Sequence, residues 1–283
     1  MGDTSLVGEL SLCWGSMEGL GLRELAETAA AAGFAAITLN PPMYQDARAS
    51  GLSERDIQAL LEDLGVRVSG VDPLFSWLPG AVKLDGDDPM SRLSHATPDE
   101  VFHIAQVVGT DIINAPLGFT QPESQQETID SFGALCEQAS SSGLRVTLEF
   151  MPFTDVPHLA EAYAVVNGAN CDNGGIMFDC WHHHRSGGTA QELAAIAGNK
   201  IFAVQLDDAL EHPMDDVVTE TLNHRLLPGE GCIDLTATLQ NLKASGARVA
   251  YDVEVFKESL RSLDNATRAS TLFASANAVL AAL

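Results

Sequence analysis

Basic residues are scarce in this chain: 15 lysines and arginines face 39 aspartates and glutamates, giving a formal net charge of −24. A surface that acidic repels phosphate backbones, which sets nucleic acid aside as a partner, while small neutral polyols are indifferent to it. The five cysteines (Cys13, Cys136, Cys171, Cys180, Cys232) are odd in number, scattered and without a CxxC pair. They suit small buried thiols in a reducing compartment, and exclude a disulfide frame or a cysteine-based zinc site. No apolar run is long enough to span a bilayer. The start Met-Gly-Asp-Thr-Ser lacks the basic residues and apolar stretch of a secretory signal, so the expected location is the cytoplasm. Neither GxGxxG nor GxxxxGK[ST] occurs, and spacing supports no Ser-His-Asp or Cys-His arrangement.

What is present is alternation. The sequence is 46% hydrophobic, enough for a sizeable core. Its short apolar runs are too continuous for a one-sided antiparallel sheet and suit strands buried on both faces. They are 10–14, 35–39, 66–71, 111–115, 145–150, 175–179, 201–206 and 248–255. Helical stretches separate them at 22–32, 54–64, 99–108, 127–140, 159–166, 192–197 and 235–244, with a last one at 266–280. Gly33, Gly65, Gly109, Gly143 and Gly246 close helices just before strands. Pro98 opens one where its missing N–H costs nothing.

Eight strands and eight helices in strict alternation are the count of an α/β fold with a single (β/α)₈ TIM barrel over residues 1–283. A doubly wound open sheet is the runner-up, but it has fewer units and a glycine-rich phosphate turn. Two long connections, 72–97 with Trp77 and 209–231, follow the third and seventh strands. In a barrel the first would lie over the active mouth as a lid.

Strands five to eight each end on a group that binds metal through oxygen: Glu149, Asp179, Gln205 and Glu254. In a barrel these ends are neighbours on the active face. Three carboxylates and one amide oxygen form a hard donor set that suits Mn²⁺ or Mg²⁺, with Co²⁺ tolerable, better than Zn²⁺. In Asp179-Cys-Trp-His182 the spacing lets His182 lean over the cavity from a loop, as a ligand, a group behind the ligands or a donor to substrate oxygen. His183 and His184 read as an exposed polar loop, and Arg185-Ser-Gly-Gly as the turn leaving the strand. Arg225 either reaches inward toward substrate oxygens or pairs with a carboxylate. Asp207 and Asp208 hold the site together or orient Arg225, while Glu230 faces solvent. Trp14, ending the first strand, and Trp77, in the lid, could each form an apolar wall against the carbon face of a substrate, with core packing the expected job for Trp14. Asn40 and Asn114 bind hydroxyls or cap helices, and His103 is a surface residue.

The residues Leu148-Glu149, Phe178-Asp179-Cys-Trp-His182, Val204-Gln205-Leu-Asp-Asp208, Arg225 with Pro228-Gly-Glu-Gly231, and Val253-Glu254-Val-Phe256 resemble the xylose isomerase-like TIM-barrel superfamily of sugar isomerases, epimerases and lyases. The likeness runs over nearly the whole length. It implies Glu149, Asp179, Gln205 and Glu254 as metal ligands and His182 and Arg225 as substrate-binding groups. Many members carry histidine where Gln205 stands; the hydroxypyruvate isomerase-like branch is similar to this chain in using glutamine. The extra histidines of the endonuclease branch are absent from the first four strand ends, which sets DNA repair aside.

The chemistry so implied is proton transfer on a small α-hydroxy carbonyl compound, a sugar or sugar acid, through a metal-stabilised enediolate. Glu149 and Glu254 would be its paired acid and base. Proton return to the opposite face epimerises the carbon, and return to the neighbouring carbon isomerises the substrate. His182 and Arg225 would steady the oxyanion. A lyase or dehydratase with His182 as the acid is the alternative; cleavage of a carbon-linked glycoside with a partner subunit, or a non-catalytic barrel subunit, stands further off. Self-association into a homo-oligomer stays open.

Overall fold

The computed structural model describes residues 6–283. In chain order the elements begin β1 (Leu10–Leu12), α1 (Leu22–Ala32), β2 (Ala36–Leu39), α2 (Pro41–Ala49), α3 (Glu54–Leu64) and β3 (Arg67–Val71). Next come α4 (Pro89–Ser94), α5 (Pro98–Val108), β4 (Ile112–Asn114), α6 (Gln125–Ser140), β5 (Arg145–Glu149), α7 (Leu159–Ala169) and β6 (Gly174–Asp179). The chain finishes with α8 (Cys180–Arg185), α9 (Ala190–Ala194), β7 (Ile201–Leu206), α10 (Val217–Asn223), α11 (Leu235–Ala244), β8 (Tyr251–Val253) and α12 (Asn265–Ala281). Among the described residues, eight parallel strands close in sequence order, with β8 pairing back onto β1. The fold is a (β/α)₈ TIM barrel.

Local chemistry explains the element boundaries. Ser53 and Asp56 form a reciprocal capping box at the start of α3, as Thr97 and Glu100 do on α5. Each such cap contributes about 1 kcal/mol. Gly33, Gly65 and Gly109 end their helices in the left-handed conformation, with φ of 98°, 65° and 75°. The core lies between strands and helices: Leu12, Ile37, Leu39, Leu148 and Phe178 on the strands meet Leu25, Phe132 and Leu272 on the helices, all fully buried.

Strict alternation does not hold. Helix α2 precedes α3 between β2 and β3, and α8 precedes α9 between β6 and β7. The unforeseen helices carry the signals that start a helix. Asn40 accepts from Met43 N before Pro41, Asp88 from Met90 N before Pro89, and Asp216 from Val218 N. Strand β8 is shorter than expected, though Glu254 N still donates to Leu206 O at 3.1 Å and extends the ladder to the site.

The segment 72–97 is tied down. Its Trp77 is buried, donates Nε1–H to Pro116 O at 2.7 Å and packs edge-on to Phe132. Trp77 is therefore a packing residue, not a wall of the mouth. Trp14 packs against the core as expected, but only half-buried, from a one-turn 3₁₀ helix after β1, and its indole donates to Asp72. It also lines a cavity of about 520 Å³ that α4 closes with Pro89 and Arg92. Among the described residues no helix is long and apolar enough to cross a membrane.

Candidate metal and active site

Four strand ends supply the frame. Asp179 on β6 is paired in register with Gln205 on β7, and Glu149 on β5 with Met177 on β6. Glu254 follows β8, so β6 and β7 stand between the two glutamates. Glu149, Asp179, Gln205 and Glu254 are all buried. A loop cannot hold so many charges at such depth, whereas strand ends fixed by ladder hydrogen bonds can.

His182 is not on a loop. Asp179 is the N-cap of α8, accepting from His182 N at 2.6 Å, and this first turn swings the imidazole back over the strand ends. His182 Nε2 lies 3.4 Å from Glu149 Oε1 and 3.3 Å from Arg225 Nη2. One ligand atom each of Glu149, Asp179 and His182 falls within 4.8 Å of the others, a spacing compatible with one shared cation. His183 departs from expectation as well: it is buried, tilted against the Phe178 ring at 5.0 Å, and Nε2 faces Thr189 O. Arg185 likewise ends α8 and pairs with the buried Glu220 of α10 at 2.5 Å.

Arg225 does both things that were open for it. Its guanidinium reaches inward, and there it pairs with carboxylates. Nη1 lies 2.7 Å from Asp179 Oδ2, 2.5 Å from Asp207 Oδ2 and 3.1 Å from Glu254 Oε2. Thr221 on α10 holds the other side, through Nη2 at 2.8 Å and Nε at 3.1 Å. The rings of Trp181 and Phe256 lie 5.2 and 5.4 Å from the guanidinium carbon. The two aspartates divide the remaining work. Asp207 orients Arg225 and also accepts from Trp181 N. Asp208 fixes the following loop, accepting from Gly229 N at 3.0 Å, Gly231 N at 2.9 Å and Ile233 N at 2.9 Å. A side chain at residue 231 would run into Ala209 O and the Asp208 carboxylate, which explains its glycine. Glu230 is exposed and pairs with Lys257.

The first half of the barrel supplies partners that sequence reasoning undervalued. Asn114 donates through Nδ2 to Asp72 Oδ1 at 2.7 Å and to Glu149 Oε2 at 2.5 Å, and its Oδ1 accepts from Thr147. It caps no helix; Asn40 does. Asp72 follows β3 as Glu254 follows β8, so the strand-end rule that selected four residues would have selected this one too. Cys13, after β1, donates its thiol to Glu254 Oε1 at 3.2 Å. His103 is exposed and pairs with Glu54 on the outer face.

Burial and charge sort the carboxyls. Burial and then Glu149 push Asp72 up to about 7, against the pull of Asn114. Burial also drives Glu254 and Asp207 well above the carboxylate range, the first despite Arg225 and the second with help from Asp179. For Asp179 the same burial is overcome by Arg225 and His182, which hold it below its usual value. Burial disfavours the Arg225 cation, yet its three carboxylates keep it charged.

The donor chemistry of the mouth suits a divalent ion. Gln205 Oε1 is buried and has no hydrogen-bond partner, as is His182 Nδ1. A buried amide oxygen with no partner costs about 1–3 kcal/mol. Coordination of a cation relieves that cost, so the residues fit the group.

A closed parallel barrel whose C-terminal mouth gathers carboxylates, an imidazole and a buried arginine has the layout of TIM-barrel active sites. The chain belongs to the xylose isomerase-like TIM barrel family, which residues 26–276 match. It is similar to the inosose isomerase of Bacillus subtilis, 34% identical over 137 residues, 48% of each chain. It is also similar to the 3-dehydroshikimate dehydratase of Pseudomonas aeruginosa, 29% identical over 245 residues, 85% of this chain and 37% of that protein. The matched stretch therefore spans about half the length, or less, of these curated relatives. Among solved structures, the IOLI protein with a bound zinc atom superposes with a TM-score of 0.83 at 21% identity, covering 97% of this chain and 98% of that one. D-psicose 3-epimerase from Clostridium cellulolyticum gives 0.71 at 14% identity, with 96% and 98% covered. At such identities the superpositions speak for the fold alone.

Proposed function

We propose that this protein is a divalent-metal-dependent isomerase or epimerase of a small α-hydroxy carbonyl compound of the sugar, keto-sugar or sugar-acid class. The observation that carries the reading is the partnerless Oε1 of Gln205, buried beside Asp179 in a mouth that also gathers Glu149 and Glu254. Those four residues would hold the ion, with manganese as the expected metal for an oxygen set. The nitrogen of His182 near Glu149 and Asp179 makes zinc its competitor. When bound, the ion supplies Lewis-acid stabilisation for negative charge developing on the substrate oxygens.

The chain's own groups do the rest. Glu149 and Glu254, with β6 and β7 between them, flank the site and serve as base and acid. One takes the proton from the hydroxyl-bearing carbon and the other returns a proton to that carbon or its neighbour. Asn114 fixes the Glu149 carboxylate by one oxygen and leaves Oε1 turned toward His182. His182 presents a ring N–H to substrate oxygens. Arg225, whose nitrogens are all engaged by Asp179, Asp207, Glu254, Thr221 and His182, fixes the carboxylates around those oxygens. Preorganised groups in a dry site stabilise developing charge without reorganising. The rings of Trp181 and Phe256 beside Arg225 keep water from its faces.

A dehydratase is the second reading. It is favoured by the likeness to 3-dehydroshikimate dehydratases over 85% of this chain, and by His182 lying 3.4 Å from Glu149, where it can protonate a leaving hydroxyl.

The test is a panel of inososes, ketoses and keto acids, with and without Mn²⁺ or Zn²⁺, followed by mass spectrometry. Isomerisation leaves mass unchanged and dehydration removes one water. The variant Gln205→Leu is expected to bind metal at least tenfold more weakly. The ion-free variant should be as stable as the parent or more so, because a partnerless polar atom has been removed. Metal content and affinity unchanged in Gln205→Leu would refute the ligand set, and a metal-indifferent parent inert on every compound would point to a non-catalytic barrel.

A further inference from the structure

TIM-barrel interiors are filled by layers of bulky branched side chains. The lower half of this one is not. Around its lower half the cavity wall carries the small or polar Thr38, Ser69, Ala203 and Asp252, with Ser11 and Thr147 hydrogen-bonded to wall residues from beside it, and Arg67, Met177 and Phe202 are among its bulkier members. A cavity of about 810 Å³ results, opening at the N-terminal mouth between Leu6, Arg145 and Arg248 and running inward past Ser69 and Thr38 to Asp72 and Asn114. Solvent reaches well inside: Ser69 and Ala203, in mid-strand positions, are half-buried rather than buried, as is Ala250 just before β8.

The lining carries polar groups from its mouth to its inner end. Ser11 and Ser69 share a hydrogen bond of 2.7 Å, and Thr38 donates to Asp252 Oδ2 at 3.3 Å. Asp252 is only 4% exposed, and its Oδ1 has no protein partner. Buried polar groups of this kind bind ordered water where the cavity has room for it. The inner end lies one residue from the proposed chemistry, because Asn114, on the cavity wall, donates to Glu149.

We propose that the barrel axis is a solvent channel joining the N-terminal mouth to the rear of the active site, a second entrance that lets water pass behind a bound substrate. Substrate enters from the opposite, C-terminal face, so the two routes do not compete. The role given to the channel rests on the reading of Glu149 as a proton-transfer group. For an isomerase it exchanges the abstracted hydrogen with solvent, and for a dehydratase it carries off the released water. The existence of the channel does not depend on that reading.

Two measurements on the full chain separate these layers. Thr38→Cys places a thiol deep on the channel wall, and its reaction with a small methanethiosulfonate is followed by mass spectrometry of the peptide. Ala250→Leu, on the same inward row as Asp252, serves as a plug at the mouth. The plug should slow labelling of the Thr38→Cys thiol at least tenfold while leaving metal content and turnover within twofold. In D₂O it should also raise the fraction of substrate hydrogen retained in the product. Ala203→Leu is the second plug should the first fail to fold. Labelling as fast in the plugged proteins as in the unplugged one overturns the channel. Slowed labelling with unchanged hydrogen retention overturns its part in catalysis and leaves the channel standing. A parent inert on every substrate defeats the functional reading, and the labelling rates still decide whether the channel exists.

Discussion

The two halves of the barrel end their strands differently. Glu149, Asp179, Gln205 and Glu254 stand at or next to the ends of β5 to β8, with Glu149, Asp179 and His182 within 4.8 Å of one another and Arg225 bonded to Asp179 and Glu254. Strands β1, β3 and β4 are followed by, or end on, Cys13, Asp72 and Asn114: Cys13 donates to Glu254, Asn114 donates to Glu149, and Asp72 shares the Asn114 amide. The first set is crowded with like charge and held by a single guanidinium; the second is a hydrogen-bonded backing. On the proposed reading the reaction chemistry falls to the second half, and the first half sets how firmly its groups are aimed.

Substitutions on the two sides should separate accordingly. Replacing the proton-transferring carboxyl of Glu254 or Glu149 with the amide of glutamine is the largest step, expected to lower turnover by about 10²–10⁴-fold while the circular dichroism spectrum stays unchanged. Equal turnover in both variants would dissolve the distinction between the halves. Next is Arg225→Met. It strips the cation from three buried carboxylates and should cost about 3–5 kcal/mol in a denaturant titration of the ion-free protein. Saturating Mn²⁺ should recover part of that loss, since a second cation then serves the same oxygens.

Asn114→Ala tests the backing directly. It leaves Asp72 and Glu149 without their shared donor and should reduce kcat about tenfold, within the cost of about 1–3 kcal/mol for an unsatisfied buried group, with metal content unchanged. A change in metal content without a change in kcat would move Asn114 to the other side of the comparison. Trp14→Phe is the mildest case: it keeps the ring packed near Phe256 and removes only the N–H to Asp72. The expected loss is about 1 kcal/mol or less, read as a small rise in KM or fall in kcat.

Much of this was legible before any coordinates. Strand β7 and helices α1, α3 and α11 fall where hydrophobic period and terminal glycine place them, because those signals are local. The four proposed donors follow from one rule, an oxygen-bearing group at the end of an apolar strand, and all four lie buried. The same rule applied to β3 would have yielded Asp72; attention to the later strands hid it. Helix α8 was missed because six residues are too few to show a period, although Asp179 three residues before His182 is an ordinary N-cap spacing. The burial of Trp77, greater than that of Trp14, is not legible for another reason. Which tryptophan is covered depends on where the 72–97 segment folds, and that is set by long-range contacts such as Trp77 with Pro116 and Phe132. The fate of Arg225 was also beyond local reading, since Asp179, Asp207 and Glu254 converge on it only when the barrel closes.

Anomalous scattering from a crystal grown with Mn²⁺ tests the metal assignment most directly. The expected result is one peak bounded by Glu149, Asp179, Gln205 and Glu254, with the Arg225 guanidinium displaced from Asp179 or Glu254. A crystal that shows no peak among those side chains, with Arg225 still in contact with both carboxylates at saturating metal, would contradict it.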